Sequence, residues 1–267
     1  MSKIGFIGCG NIATAMLTGL SKSDDFINDN LFVFDNDSAK LKTIQSKINI
    51  NIAKSNIDLV NQVDFLVLAV KPKIYPLVIE EIKNTISKDT VVITLAPGIL
   101  IKDTKRMFDQ DIKVIRTMPN TPALVGEGIT ALCPSSNVTT SDEQTAVKMF
   151  NSFGKSVKLA EDKFDAFTAV CGSSPAFVYM FIEAMAKGGL NEGLPKEIIY
   201  DIVSQAVLGS AKMVLVTKDT PQKLINDVST PGGTTVVGTA DLRNNNFEEI
   251  VISAIAKTTA RSSQPVK

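Results

Sequence analysis

Ile4-Gly5-Phe6-Ile7-Gly8-Cys9-Gly10-Asn11-Ile12-Ala13 starts the chain on an apolar strand that runs into the spacing G-x-G-x-x-A. Ala15, Met16, Leu17 and Leu20 then follow at helical spacing. Each small residue has a task in a dinucleotide site. Gly8 permits a tight strand-to-helix turn, Gly10 lets backbone approach a pyrophosphate, and Ala13 lets helix and strand pack closely. The N–H groups of Asn11, Ile12 and Ala13, unpaired at a helix start, would face that anion. Glycine turns also occur as plain punctuation, so position matters. This one lies between a strand and a helix, and the next apolar run, Leu31-Phe32-Val33-Phe34, ends in Asp35, about 20 residues on as the fingerprint requires.

Asp35 bears on which dinucleotide is bound. A carboxylate at the end of a buried strand accepts hydrogen bonds from an adenosine ribose and repels a 2′-phosphate. Asp35 also reads as a solvated acid of the turn Asp35-Asn36-Asp37-Ser38, and Lys40 and Lys42 lie close enough to serve a phosphate. The reading leans to NADH and leaves NADPH open.

Composition narrows the class. The 267 residues hold 28 basic and 28 acidic side chains, 44% hydrophobic residues and 21% charged ones, ordinary values for a soluble enzyme. No basic run suggests a nucleic acid or a membrane surface as partner. Cys9, Cys133 and Cys171 form an odd, scattered set, which fits reduced thiols in a cytoplasm rather than disulfides or a metal site. The start does not read as a signal peptide. No apolar run reaches the ~18 residues expected of a membrane helix. There is no histidine, so the commonest general acid/base and metal ligand are missing from any mechanism.

Strand and helix patterns alternate through the first 160 residues. Expected strands cover 63–70, 90–95, 113–118, 128–133 and 156–159, with helices over 38–47 and around Ile79, Ile82 and Ile86, and between the last two strands. That order implies a doubly wound parallel sheet. Ligands bind beyond the carboxyl ends of such strands, where Val70-Lys71-Pro72, Ala96-Pro97-Gly98 and Met118-Pro119-Asn120-Thr121-Pro122 lie. Asn120, between two prolines, reads as a polar group on a stiffened loop, or as part of a rigid turn with no ligand.

From about Glu161 the pattern is helical only, which sets the expected domains at 1–160 and 161–267. A long apolar helix over 164–189 is interrupted at Gly172-Ser173-Ser174-Pro175. Pro195 is expected to open the next one, and further helices cover 221–228 and 247–260. More apolar surface is present than one thin layer needs, which suggests a subunit interface. Thr230-Pro231-Gly232-Gly233-Thr234-Thr235 is the candidate substrate site. Glycines before a helix expose N–H groups that hold a carboxylate, and Thr230, Thr234 and Thr235 add neutral hydroxyls. An ordinary helix-starting turn is the alternative reading.

On these residues the chain resembles the pyrroline-5-carboxylate reductases almost end to end. The resemblance is carried by Phe6 to Asn11, Ala69-Val70-Lys71-Pro72, Met118 to Val125, Gly172 to Phe177, Gly209 to Val214 and Pro231 to Thr235. It implies α/β architecture: an N-terminal Rossmann domain followed by an all-α dimerisation domain, in a homodimer or a decamer. It implies that Asn56, Ala69, Val70, Lys71 and Pro72 join Gly8, Gly10, Asn11, Ile12, Ala13, Asp35 and Asn120 around NADH or NADPH. Thr235 would hydrogen-bond the ring nitrogen of 1-pyrroline-5-carboxylate, with Thr230 beside it as a second catalytic hydroxyl. Gly232, Gly233 and Thr234 would hold the substrate carboxylate, and L-proline would leave.

The chemistry agrees with the resemblance. A substrate arriving as an iminium already carries its proton, so a histidine-free site needs only to orient it against a hydride donor. Pro97, Thr230 and Asp35 stand where the family usually has alanine, serine and, in many NADPH-preferring members, serine or threonine. Pro97 removes a backbone donor near the expected nicotinamide. A β-hydroxyacid dehydrogenase is the enzymatic alternative, but Gly172 to Tyr179 lacks the lysine that class places after its second-domain glycine turn. A non-catalytic nicotinamide-sensing module is the other alternative, and it would have no need of the second-site hydroxyls.

Overall fold

The structure is a computed structural model and describes residues 2–264. By contact it divides into two compact units, residues 2–172 with 259–264, and residues 173–258.

The first unit is built on strands β1 (Ile4–Ile7), β2 (Leu31–Phe34), β3 (Asn51–Ile52), β4 (Phe65–Leu68), β5 (Val91–Thr94), β6 (Lys113–Met118), β7 (Gly128–Pro134) and β8 (Gly154–Lys158). They form one sheet in the order β3-β2-β1-β4-β5-β6-β7-β8. β1 and β4 are buried along their whole length, as strands covered on both faces must be. Helices α1 (Asn11–Ser21), α2 (Ser38–Gln45), α3 (Asn56–Val60), α4 (Tyr75–Ile82), α5 (Ile101–Phe108) and α6 (Thr140–Asn151) connect them. Two apolar clusters hold the layers together, one joining α1 and α6 to the sheet through Met16, Leu17 and Phe150. The other joins α3 and α4 through Leu59, Ile79 and Ile82. Chain order reverses between β1 and β4, the switch point at which such sheets open a ligand crevice.

The sheet departs from the expected all-parallel pattern at one pair. β6 and β7 run antiparallel, whereas β7 and β8 are parallel across α6. Only Pro119 to Glu127 separates β6 from β7, too little chain for the dozen or more residues of a parallel crossover. The short β3, α3 and α5 carry too few apolar positions for periodicity to reveal them. Beyond β8, the buried Arg116 reaches Glu161 at 3.3 Å and stacks 4.5 Å above the Phe164 ring. Glu161 also accepts the Ile101 N–H at 2.8 Å, which ties α5 to the start of the helical region. Helix α7 (Phe164–Phe167) continues into a π-helical segment, Thr168–Ser173. The expected interruption at Gly172 to Pro175 is therefore a π-segment within continuous helix.

The second unit holds α8 (Ser174–Asn191), α9 (Ile199–Thr217), α10 (Pro221–Val228), α11 (Thr234–Asn244) and most of α12 (Phe247–Ser262). Pro175 lies in the first turn of α8, where its missing N–H is harmless. Pro195 does not open α9: a single turn closed from Ile198 N–H to the Pro195 carbonyl precedes the helix. Helices α8 and α9 meet around Ala186, Ile199 and Val203. Gly189 makes this possible, since a Cβ there would lie 2.8 Å from Ile199 Cδ1. Little else in this unit is buried, and Met180, Val216 and Val237 are 72%, 69% and 71% exposed.

Residues Glu161–Asn191 and Ile199–Thr217 are long and apolar enough to cross a membrane by length and composition, although only 11% of each window is buried. This corrects the expectation that no run reaches that length. Charged residues such as Glu183, Asp201 and Lys212 break the runs to the eye without lowering the mean hydropathy of the window far.

Candidate nucleotide and substrate sites

The first glycine turn is set by the sheet. Gly8 N–H donates to the Phe34 carbonyl and Ala69 N–H to the Ile7 carbonyl, both at 2.8 Å, so the ends of β1, β2 and β4 are pinned together. Gly8 has φ +100°, a conformation only glycine adopts freely. An added Cβ would lie 2.7 Å from the Ala69 carbonyl oxygen. Two residues on, the surroundings reverse: nothing lies within 4 Å of a Cβ placed on Gly10. Gly10 is the N-cap of α1 and offers no side-chain cap, so the helix start presents open N–H donors to that space. Gly10, Asn11, Ile12, Ala13, Ala69 and Val70 line this cleft, together with Lys71 and Leu95.

Asp35 occupies the position expected of it and does more than project from a strand. Its Oδ2 accepts the Cys9 N–H at 2.7 Å and its Oδ1 accepts the Asp37 N–H at 2.8 Å. The carboxylate therefore braces the glycine turn, and Lys40 Nζ stands 4.0 Å away. Burial raises the Cys9 thiol above its usual range, and the Asp35 charge adds to the rise, so Cys9 stays a neutral thiol in the turn. Gly8, Asp35, Asn36, Asn56 and Val70 line one pocket with Ile74 and Val78. Val70 is common to this pocket and the cleft over Gly10. Asn36, Ile74, Val78 and Leu95 were not among the expected contacts. The apolar positions just ahead of and within α4 were the only sign of Ile74 and Val78.

Asn56 is buried at the first position of α3. Its Nδ2 donates to Glu81 Oε2 at 2.8 Å, while its Oδ1 is buried without a partner among the described residues. An orphaned acceptor in a pocket beside an Asp and a glycine turn matches a ligand that brings its own donors. The ribose hydroxyls and the adenine amino group are such donors, and the open cradle over Gly10 matches a pyrophosphate. The residues present thus fit a nicotinamide dinucleotide.

Two expected contacts lie outside both of these pockets. Asn120 is buried, and its amide is engaged internally: Nδ2 donates to the Cys171 carbonyl at 3.0 Å and Oδ1 accepts Ile129 N–H at 2.9 Å. It braces the loop after β6 and lines neither nucleotide pocket, because both ends of its amide are held by distant backbone. Pro72 opens the 3-10 turn Pro72–Ile74 and lines neither pocket; it sets the direction of the chain that Val70 and Lys71 present. Tyr75, by contrast, gave no sign in the sequence. Its hydroxyl donates to the Leu68 carbonyl at 2.6 Å and accepts Leu95 N–H at 3.1 Å. It clamps the ends of β4 and β5 on either side of the cleft, and burial raises its ionisation far above the ordinary tyrosine range.

The second glycine turn lies in the second unit. Gly232 has φ +73°, and Gly233 N–H donates to the Thr230 carbonyl at 2.9 Å. Gly233 is the N-cap of α11, again with no side-chain cap. A Cβ on Gly233 would lie 2.5 Å from Thr230 Oγ1. Thr230, Gly232, Gly233, Thr234 and Thr235 are brought together at one helix start, with Thr230 and Thr234 exposed and Thr235 half-buried. Helix N–H groups and hydroxyls on one turn can hold a small carboxylate and a neighbouring polar atom.

Comparison with known proteins places both turns in one context. A family model described as pyrroline-5-carboxylate reductase dimerisation matches residues 161–265. A second, described as NADP oxidoreductase coenzyme F420-dependent, matches residues 3–98. A pyrroline-5-carboxylate reductase of Escherichia coli is 38% identical over 262 residues, covering 98% of this chain and 97% of that protein. The structure of a pyrroline-5-carboxylate reductase from Coxiella burnetii matches with a TM-score of 0.92 and 30% identity, covering 98% and 97% of the two chains. The structure of Plasmodium falciparum pyrroline carboxylate reductase with NADP bound matches with a TM-score of 0.86 and 32% identity, over 98% and 97% of the two chains.

Proposed function

The chain belongs to the pyrroline-5-carboxylate reductase family, and we infer that its first glycine turn serves the nucleotide and its second the substrate. The protein is an NAD(P)H-dependent oxidoreductase that reduces 1-pyrroline-5-carboxylate to L-proline, the last step of proline biosynthesis. What supports the assignment of residues is the pairing of a preformed nucleotide cleft with an uncapped, hydroxyl-rich helix start in a chain without histidine.

Bound NAD(P)H supplies a hydride. Gly8, Gly10, Asn11, Ile12 and Ala13 hold its pyrophosphate on the start of α1, with Lys71 as the nearby cation. Asp35 and Asn56 meet the adenosine ribose, which favours NADH, while Ala69 and Val70 form the floor between the two pockets. At the second turn, the free N–H of Thr234 at the start of α11 holds the substrate carboxylate, with Gly232 and Gly233 shaping the bend. The Thr235 hydroxyl accepts a hydrogen bond from the iminium N–H and orients the ring, and Thr230 packs over Gly233 to fix the turn. The imine carbon gains the hydride and the nitrogen keeps the proton it arrived with, so no strong protein acid is needed.

The helical half is an oligomerisation domain, and a homodimer, alone or built into a decamer, is the assembly we propose for it. We place the functional boundary at 160/161, ahead of Gly172 where the contacts divide the chain, and the enzyme in the cytoplasm.

Purified protein, racemic pyrroline-5-carboxylate and NADH or NADPH in parallel test this reading through loss of the reduced-nicotinamide absorbance. Activity with at least one cofactor is expected, and none with either would sink it. Thr235→Ala should lower kcat on the order of tenfold to a hundredfold and leave the nucleotide dissociation constant unchanged. Thr235→Ser should recover most of the loss. Full activity in the alanine variant would reduce Thr235 to a helix-starting residue.

A further inference from the structure

Glu81 lies on α4, outside the glycine turns, and no sequence motif marks it. Its carboxylate accepts the Asn56 Nδ2 hydrogen bond at 2.8 Å. An ionised carboxylate has no donor, so this contact fixes which end of the Asn56 amide faces it. The NH2 group points to Glu81, and Oδ1 is left on the other side, buried and without a partner among the described residues. Asn56 is 7% exposed and lines the pocket shared with Asp35. Each Asp35 oxygen already receives one backbone N–H and keeps further acceptor capacity. Lys40 is the cation nearest the Asp35 carboxylate, and it is divided between Asp35 at 4.0 Å and Asp37 at 3.8 Å.

We propose that Glu81 is a positioning residue for choice of dinucleotide. By engaging the Asn56 NH2 group, it leaves the buried, unpartnered oxygen as the hydrogen-bonding atom this side chain still has to offer, and with the Asp35 carboxylate this makes the adenosine end of the site a wall of acceptors. Such a wall recognises the ribose hydroxyls, which donate, and rejects a 2′-phosphate, which brings only acceptors and negative charge. The inference rests on the nucleotide-binding reading above and extends it from Asp35 to a pair of residues on α3 and α4.

Calorimetric titration of the full-length protein with ADP-ribose and with 2′-phospho-ADP-ribose tests the proposal without imine or nicotinamide. The wild type should bind ADP-ribose about tenfold or more tightly than its 2′-phosphate. In Glu81→Gln the partner amide can donate as well as accept, so Asn56 is free to turn over. The ratio of the two affinities should then fall roughly three- to tenfold. Glu81 is exposed, so this variant should melt with the wild type. Asn56→Ala should weaken ADP-ribose by a similar factor and leave the 2′-phosphate nearly unaffected. An unchanged ratio in Glu81→Gln, equal weakening of both ligands in Asn56→Ala, or tighter wild-type binding of the 2′-phosphate would each overturn the proposal. Failure of the underlying reading has a different signature. Binding of neither ligand would remove the nucleotide site altogether, and binding without imine reduction would remove the reductase assignment while the ratio still judges Glu81.

Discussion

The two glycine turns share one local device and differ in everything around it. Both end on a glycine N-cap with no side-chain cap, at Gly10 and at Gly233, so each leaves the N–H groups of a helix start free for an anion. The first turn is braced from three sides, by the Phe34 carbonyl, the Asp35 carboxylate and the packed ends of β1 and β4. The second is held by one hydrogen bond across the turn, on an exposed surface, in a unit whose apolar side chains are largely uncovered. The difference teaches what each turn depends on. The nucleotide turn is finished by its own sheet. The second turn lies in the region that the dimerisation family model matches and has little buried support of its own.

The largest expected effect comes from disturbing the braced turn. In Gly8→Ala the new methyl would meet the Ala69 backbone at 2.7 Å in a residue with φ +100°. Neither the backbone nor the conformation can yield cheaply, so a loss on the order of 3 kcal/mol in stability is expected. Nucleotide binding should vanish in titration with NADH. The matching change at the second turn is milder. Gly233→Ala has an allowed backbone, and its methyl meets chiefly the Thr230 hydroxyl, 2.5 Å away at the end of a side chain. Folding should survive, while kcat falls about tenfold from a displaced substrate carboxylate. If Gly233→Ala instead unfolded the protein as Gly8→Ala does, the contrast between the turns would collapse.

Tyr75→Phe comes next. It leaves the Leu68 carbonyl and Leu95 N–H without their shared partner, a loss of about 1–3 kcal/mol when such groups are buried. Since those residues flank the nucleotide cleft, the melting temperature and the NADH affinity should fall together, whereas substrate KM at saturating NADH should hold. A change in KM alone would show that the clamp serves the second turn rather than the first.

How much of this was legible in the sequence follows from where the partners lie. Gly8, Gly10, Ala13 and Asp35 act through local spacing, and all four stand where the pattern put them. The antiparallel β7 is also legible in the short connection Pro119 to Glu127, which is too few residues for a parallel crossover. The braces were not readable. Asn56 meets a carboxylate 25 residues away, and Asn120 a carbonyl 51 residues away. Nothing in the sequence near Asn120 distinguishes an amide that is held from one that is free. Tyr75 carried no sign of its role, because its hydroxyl matters only once β4 and β5 are side by side. The role of the exposed faces of α8 and α9 was legible as surplus hydrophobicity, but not which surface covers them.

The smallest effect tests the comparison from the other side, at a helix start that is capped. Helix α6 begins with a reciprocal cap: Thr139 accepts from the Asp142 N–H, and Asp142 accepts from the Thr139 N–H. Asp142 also pairs with Lys113 at 2.9 Å. Partial burial raises the Asp142 pKa, but its hydrogen bonds to Lys113 and Thr139 outweigh that and bring it below the ordinary 3.8. A depressed folded-state value means the carboxylate stabilises the fold fully above the unfolded value and loses that contribution as pH falls through the folded one. Asp142→Asn should therefore lower stability by about 1 kcal/mol at neutral pH, and the gap to the wild type should close below about pH 4. Imine reduction at neutral pH should be unchanged, because the start of α6 lines neither nucleotide pocket and the variant leaves both glycine turns untouched. Loss of activity in this variant, with its fold intact, would mean that leaving a helix start uncapped is not what sets Gly10 and Gly233 apart.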